Sequence, residues 1–198
     1  MDLFDDLLKC QMCRDRFLKT TTVHSPRPVL RGYRSARILI AGQAPGARVH
    51  NSGIPFDDPS GERLRTWMAV DRDIFYDQSR IAIVPMAFCF PGYDAKGADL
   101  PPPPICAKTW RLRVLDEFPN IRLTLLVGGY AQKWHLRDTR NVTDRVRDWR
   151  ARDGVFPLPH PSWRNTAWLR RNPWFEADLL PVLRARIAQV LKDDDDPA

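Results

Sequence analysis

A three-layer α/β/α domain built on a short, mostly parallel four-stranded central sheet is the fold this sequence predicts, on three observations. Short apolar runs bounded by turn signals recur along the chain, helical patterns lie between them, and the runs are continuously apolar instead of alternating. A strand that is apolar on both faces needs cover on both sides. Helices above and below the sheet supply it.

The first run, Ile38-Leu39-Ile40-Ala41, leads into Gly42. A helix is predicted over 61–70, where Leu64, Trp67 and Met68 recur at i, i+3 and i+4. The second run, Ile81-Ala82-Ile83-Val84, stops at Pro85. Residues 91–104 read as one long irregular loop with Pro91, Gly92, Gly97 and four prolines from Pro101 to Pro104, and loops of that length in compact domains tend to carry function. Helical spacing returns over 106–118, a third strand occupies 123–127, and a helix follows over 130–136. A fainter strand lies near Val155-Phe156, and the last helix spans 175–191. Sheets of this class bind ligands at the carboxyl ends of their strands, so chemistry is expected in the loops opening at Gly42, Pro85, Gly128 and Pro157.

With 198 residues, the chain fits one domain over 1–192 followed by an acidic, disordered tail over 193–198 that contains Asp193 to Asp196. A hydrophobic content of 43% with 28% charged residues excludes collagen-like, disordered and membrane-spanning classes. No apolar run approaches the roughly 20 residues of a membrane span. The first residues, Met1-Asp2-Leu3-Phe4-Asp5-Asp6, are acidic where a secretory leader is basic, so a cytoplasmic location is expected. There are 31 Lys and Arg against 24 Asp and Glu; without the four tail aspartates the balance is 31 − 20 = +11. A field of that sign favours polyanions and makes nucleic acid the expected partner.

Four cysteines in a cytoplasmic chain point to metal before disulfides. Cys10 and Cys13 form a C-x-x-C, while Cys89 and Cys106 stand far downstream on either side of the proline-rich loop. An iron-sulfur cluster tolerates such scattered ligands, zinc is satisfied by four thiolates, and buried free thiols remain the third reading. Two loops are candidates for the site. Gly42-Gln43-Ala44-Pro45-Gly46 turns backbone N–H groups and one amide out of the sheet edge. In Leu158-Pro159-His160-Pro161-Ser162-Trp163-Arg164-Asn165, two prolines stiffen the chain around one histidine.

These segments carry a resemblance. Gly42-Gln43-Ala44-Pro45-Gly46 resembles the first motif of the uracil-DNA glycosylase superfamily, Ile54-Pro55-Phe56 its base-stacking segment, and His160-Pro161-Ser162 its second motif. The cysteine order is similar to that of the iron-sulfur branch, closest to the family 4-like enzymes. The resemblance therefore implies a four-iron four-sulfur (4Fe-4S) cluster on Cys10, Cys13, Cys89 and Cys106. It implies a monofunctional enzyme of base excision repair, acting as a monomer on uracil in single- or double-stranded DNA and leaving an abasic site. His160 then donates to uracil O2, Phe56 stacks on the base, and Gln43 and the N–H groups near Ala44 meet its polar edge. Ser162, Arg164 and Asn165, with Ser60 and Arg63, are expected on DNA phosphates, and Trp163 as a wedge beside the extruded nucleotide.

The sequence also departs from the pattern. The best-known branch has a water-orienting Asp where Ala44 stands, the iron-sulfur branch has an acid in place of Gln43, and an expected base-reading Asn falls near Pro85-Met86. Asp57 and Asp58 are the nearest carboxylates for the water, with Asp58 favoured; a helix-capping role is the alternative. His50 is a candidate for sugar or phosphate contact, or a solvated loop residue. A cluster-bearing nucleic-acid-binding protein without catalysis, or a glycosylase for hypoxanthine or xanthine, are the competing functions.

Overall fold

The computed structural model describes residues 3–192, and the acidic tail expected over 193–198 lies outside them. Four strands, β1 (Ile38–Ala41), β2 (Ile81–Ile83), β3 (Leu123–Val127) and β4 (Val155–Leu158), form one sheet in the order β2-β1-β3-β4. Every pairing between these strands is parallel, in keeping with the predicted parallel four-stranded sheet. Ile38 stands between Ile81 and Leu123, and Leu125 opposite Phe156. The edges are guarded. Arg31 pairs antiparallel with Ile83 along β2, and β4 carries Pro157, a residue without a ladder donor that edge strands accommodate.

Helices α1 (Leu3–Leu8) and α2 (Arg14–Leu18) precede the sheet. They escape a sequence reading because five or six residues show no repeat of the apolar spacing, yet each buries a side chain, Leu7 and Phe17. Between β1 and β2 lie α3 (Ala47–Ser52), α4 (Pro59–Met68) and α5 (Arg72–Tyr76). The predicted 61–70 helix begins two residues earlier because Pro59 fits the first turn and the Asp58 side chain accepts from Gly61 N at 2.9 Å. It ends at Ala69, which takes a left-handed conformation with φ 53°.

The predicted 106–118 helix is α6 (Pro104–Cys106), a π-helical stretch (Ala107–Arg111) and α7 (Leu112–Asp116). Then follow α8 (Gly129–Leu136), α9 (Val142–Arg147), α10 (Thr166–Arg171) and, after a π-helical turn (Phe175–Leu179), α11 (Leu180–Lys192). The 91–104 segment is more ordered than a plain loop. Asp94 Oδ1 accepts from the N–H groups of Lys96 and Ala98, and Tyr93 bridges to Asp99.

Strand alternation sends Ile38, Ile40, Ile81, Ile83, Leu123, Leu125 and Val127 to one face, against α4, α5 and α11. Leu39 and Ala82 face the other way, toward Leu7, Phe88, Trp110, Val114 and Phe118. That division makes the three layers. Trp168 and Trp174 pack against the first core, Trp168 edge-on to Phe175 at 5.7 Å. Among the described residues, no helix is long and apolar enough to cross a membrane.

Candidate active site

The carboxyl ends of the strands open into a cavity of about 420 Å³ lined by residues 42–46, Phe56, Asp58, Ser60, Pro85, Asp99 and His160, with Ser162, Arg164 and Asn165. The two candidate loops, more than a hundred residues apart in the chain, therefore share one wall. Its floor is set by close backbone approaches. A Cβ on Gly42 would stand 3.3 Å from the Phe56 ring, so the aromatic lies directly over the first loop. Phe56 itself has φ 57°, a conformation that side-chain-bearing residues avoid. Gly61 is what leaves room for it: a Cβ there would fall 1.8 Å from the Phe56 carbonyl oxygen. Tyr76 Oη donates to Pro55 O at 3.0 Å, and the Phe75 ring meets Phe56 edge-on at 6.2 Å.

His160 follows β4 and faces Gly128, whose φ of 84° suits glycine and whose missing side chain leaves room for the imidazole. Asn165 Nδ2 donates to His160 O at 2.7 Å, fixing the loop. Ser162 N donates to His160 Nδ1 at 3.2 Å. That contact makes Nδ1 the acceptor and leaves the proton on Nε2 in the neutral ring. Burial lowers the His160 pKa from its ordinary value, while Asp58 and Asp99 pull it back up. At neutral pH the ring is an uncharged Nε2–H donor.

The two acids proposed for water separate in space. Asp58 lines the cavity, with one oxygen capping α4; Asp57 does not line it, and its carboxylate is held by Arg72 at 3.1 Å. The capping role of Asp58 is thus real and spares its second oxygen. His50 does not line the cavity; it is partly exposed and packs against the His24 ring at 5.1 Å and Phe90 at 5.9 Å. Chiefly burial, with His24 and Arg27, keeps its pKa below the ordinary value. Sequence reasoning missed Asp99, because no periodicity marks the end of an irregular loop. Burial raises its pKa, which Arg164 and His160 oppose.

Of the residues expected on DNA, Ser60, Ser162, Arg164 and Asn165 line the cavity. Arg63 lies outside that lining and donates to Ser162 O at 3.0 Å, bracing the second loop against α4. Ser162 Oγ accepts from Arg164 N at 3.2 Å. Trp163 is 72% exposed beside the mouth, with the Arg164 guanidinium 5.7 Å from its ring centre. Where an Asn was expected, Pro85 lines the cavity and Met86 is buried, its N–H spent on Gly42 O at 2.9 Å.

A family model described as the Uracil DNA glycosylase superfamily matches residues 30–184, a stretch that takes in every strand and all of the cavity lining except Val29. The chain belongs to that superfamily. It is thereby placed among DNA glycosylases, hydrolases that cut the bond between base and sugar during repair. Within the glycosylase, the match includes Cys89 and Cys106 but begins after Cys10 and Cys13. All four cysteines nevertheless line one small apolar pocket, together with Phe17, Ala87 and Trp110. Burial pushes the Cys89 thiol up to about 12, with Cys106 adding to the shift, and the Cys106 thiol up to about 11.

Proposed function

We propose that this chain is a monofunctional uracil-DNA glycosylase of the iron-sulfur branch. The observation that carries the reading is His160: its Nδ1 accepts from Ser162 N, which leaves Nε2–H as the donor of the neutral ring, and the residue lines a cavity that Phe56 also lines. Breaking the glycosidic bond leaves negative charge on uracil and positive charge on the sugar. A preorganised donor at O2 stabilises the first. Phe56 stacks on the flipped base, and the Gln43 amide with the N–H groups of its loop meets the polar edge. Asp58, through the oxygen that does not cap α4, holds the water that adds to C1′ and takes up its proton. Lysine is absent from the residues lining the cavity, so no side-chain amine there supports the sugar-cleaving lyase chemistry of bifunctional glycosylases.

The four thiols also fit a cluster. A single zinc needs four sulfurs about 3.8 Å apart, from tetrahedral bonds of about 2.3 Å. Among the described residues, no three His, Cys, Asp or Glu side chains are grouped to hold one ion, whereas a cubane takes one thiolate on each of four irons. Cys10, Cys13, Cys89 and Cys106 would hold it, and it would tie the N-terminal helices and α6 to the sheet.

The deciding experiment incubates the protein with oligonucleotides carrying uracil, hypoxanthine or xanthine and opens abasic sites with alkali. Cleavage at uracil is expected. Intact strands at every enzyme concentration overturn the catalytic reading, and cleavage confined to a purine overturns the base assignment. Protein purified without oxygen should be brown and contain iron, and Cys106→Ala should lower iron content and melting temperature together. Colourless protein with one zinc rejects the cluster.

A further inference from the structure

Arg111 is 0% exposed, the bulkiest side chain enclosed to that degree. Its Nη1 donates to the carbonyls of Val84 at 3.2 Å and Pro85 at 2.8 Å, and its Nη2 lies 2.5 Å from His135 Nε2. The guanidinium carbon sits 5.1 Å from the Trp134 ring centre, and Nε has no hydrogen-bond partner among the described residues. None of these groups is an anion. Burial, then Arg111 itself, presses the His135 pKa down to about 3, so that ring is neutral. Among the described residues, no carboxylate pairs with Arg111. A buried cation without a counter-charge is strongly destabilising, and proteins seldom keep one.

Cys106 stands five residues earlier across the π-helical stretch, and Trp110, next to Arg111, lines the same pocket as the four cysteines. Burial draws the guanidinium down to about 9, and at neutral pH the side chain remains a cation. We infer that Arg111 is the counter-cation of the cysteine-held cluster and a strut joining that cluster to the base pocket. The inference rests on the cluster of the proposed function and extends it. Four thiolates on a 4Fe-4S core carry net negative charge into a low-dielectric site, where an enclosed guanidinium offsets it.

The strut follows from the same hydrogen bonds. Arg111 holds the carbonyls of residues 84 and 85, while Phe88 N donates to Cys106 Sγ at 3.4 Å. Between those anchors, Met86 N donates to Gly42 O at 2.9 Å and Ala87 N to Gln43 O at 3.1 Å. The helix bearing Cys106 and Arg111 therefore grips both ends of a segment bonded to the first motif. Arg111 is a positioning residue, and cluster loading and pocket order are linked through it, each favouring the other.

Arg111→Met keeps the bulk and removes charge and donors, while Arg111→Lys keeps the charge and loses the fork. With the full chain loaded with iron and kept from oxygen, transfer of iron to a colorimetric chelator should be about tenfold faster in Arg111→Met, the scale of outer-shell effects on metal sites, and largely restored in Arg111→Lys. Melting temperature should fall in loaded Arg111→Met but stay level or rise in the chelator-stripped form, because the stripped wild type holds an uncompensated cation. Amide exchange at 84–88 should quicken in Arg111→Met and in stripped wild type. An iron-bearing wild type whose Arg111→Met variant loses iron at the same rate overturns the counter-cation and leaves the cluster standing. Unchanged exchange at 84–88 overturns the strut. Wild type without iron overturns the cluster reading itself, and Arg111 with it. Should the stripped form fail to fold, iron transfer and exchange in the loaded protein decide.

Discussion

In the proposed reaction His160 and Asp58 divide the chemistry, and each also has a structural bond that must be separated from it. Replacing His160 by Ala removes the O2 donor, and single-turnover excision should fall by about 100-fold or more, the scale of losing one preorganised donor. Asp58→Asn is the cleaner probe of the water. Asparagine caps a helix as well as aspartate, so the bond to Gly61 N survives and melting should barely change, while excision falls by about tenfold. Asp58→Ala should show the same rate loss plus about 1 kcal/mol of destabilisation, the usual worth of a cap. If Asp58→Asn proves as damaging as His160→Ala, the carboxylate is carrying charge stabilisation assigned here to the histidine. Burial sets the sign of the pH dependence. The folded His160 pKa lies below 6.5, so the unfolded chain binds this proton more readily; its share of stability is full above 6.5 and declines as pH falls toward the folded value. NMR titration of the ring should give a midpoint below 6.5, moved lower still in Asp58→Asn, because the neighbouring carboxylate raises it.

Helix α4 shows how an element supports the site without touching the reaction. Its third residue, Gly61, is the only type that leaves space for the Phe56 carbonyl, since a Cβ would lie 1.8 Å from that oxygen. Gly61→Ala should displace Phe56, cost about 1 to 3 kcal/mol by overpacking, and weaken uracil excision far more than DNA binding; a denaturant melt beside a binding titration checks both. A variant with wild-type stability and rate would remove Phe56 from the base-stacking role. This element also shows what a sequence can reveal. The strands β1 and β3 were legible to the residue, because continuous apolar runs between turn signals admit little else, and Leu64, Trp67 and Met68 marked α4 by period alone. The left-handed turn at Phe56 was not legible, since nothing local favours it and distant packing imposes it. Asp99 and Arg111 escaped for the same reason: one sits at the end of an irregular loop, and the other reads as a surface arginine until tertiary packing encloses it. The two motif loops were visible as short, polar strand ends, but only folding brings Gln43 and His160 to one cavity.

At the scale of the whole molecule, the decisive quantity is the surplus of positive charge along the chain. The chain without its terminal aspartates carries +11, and Arg164, a cavity-lining residue beside the exposed Trp163, is the phosphate contact expected from the sequence. Phosphate contacts of this kind release counterions, so log affinity should fall linearly with log salt. They position the duplex without reading it. Arg164→Ala should therefore weaken binding to uracil-containing and undamaged oligonucleotides by nearly the same factor, and flatten the salt slope by about one contact, close to 0.9 for duplex DNA. Trp163→Ala should behave differently, because a wedge acts on the stack and not on the charge: it should leave the salt slope intact and slow excision from duplex more than from single strands, where no stacked partner has to be displaced. Fluorescence anisotropy across a salt series, with both oligonucleotides and both variants, makes the comparison in one experiment. An Arg164→Ala protein that keeps its salt slope and loses only the preference for uracil would move the guanidinium from the phosphate track into the base pocket. There it would face Asp99, whose carboxyl it already influences across the mouth.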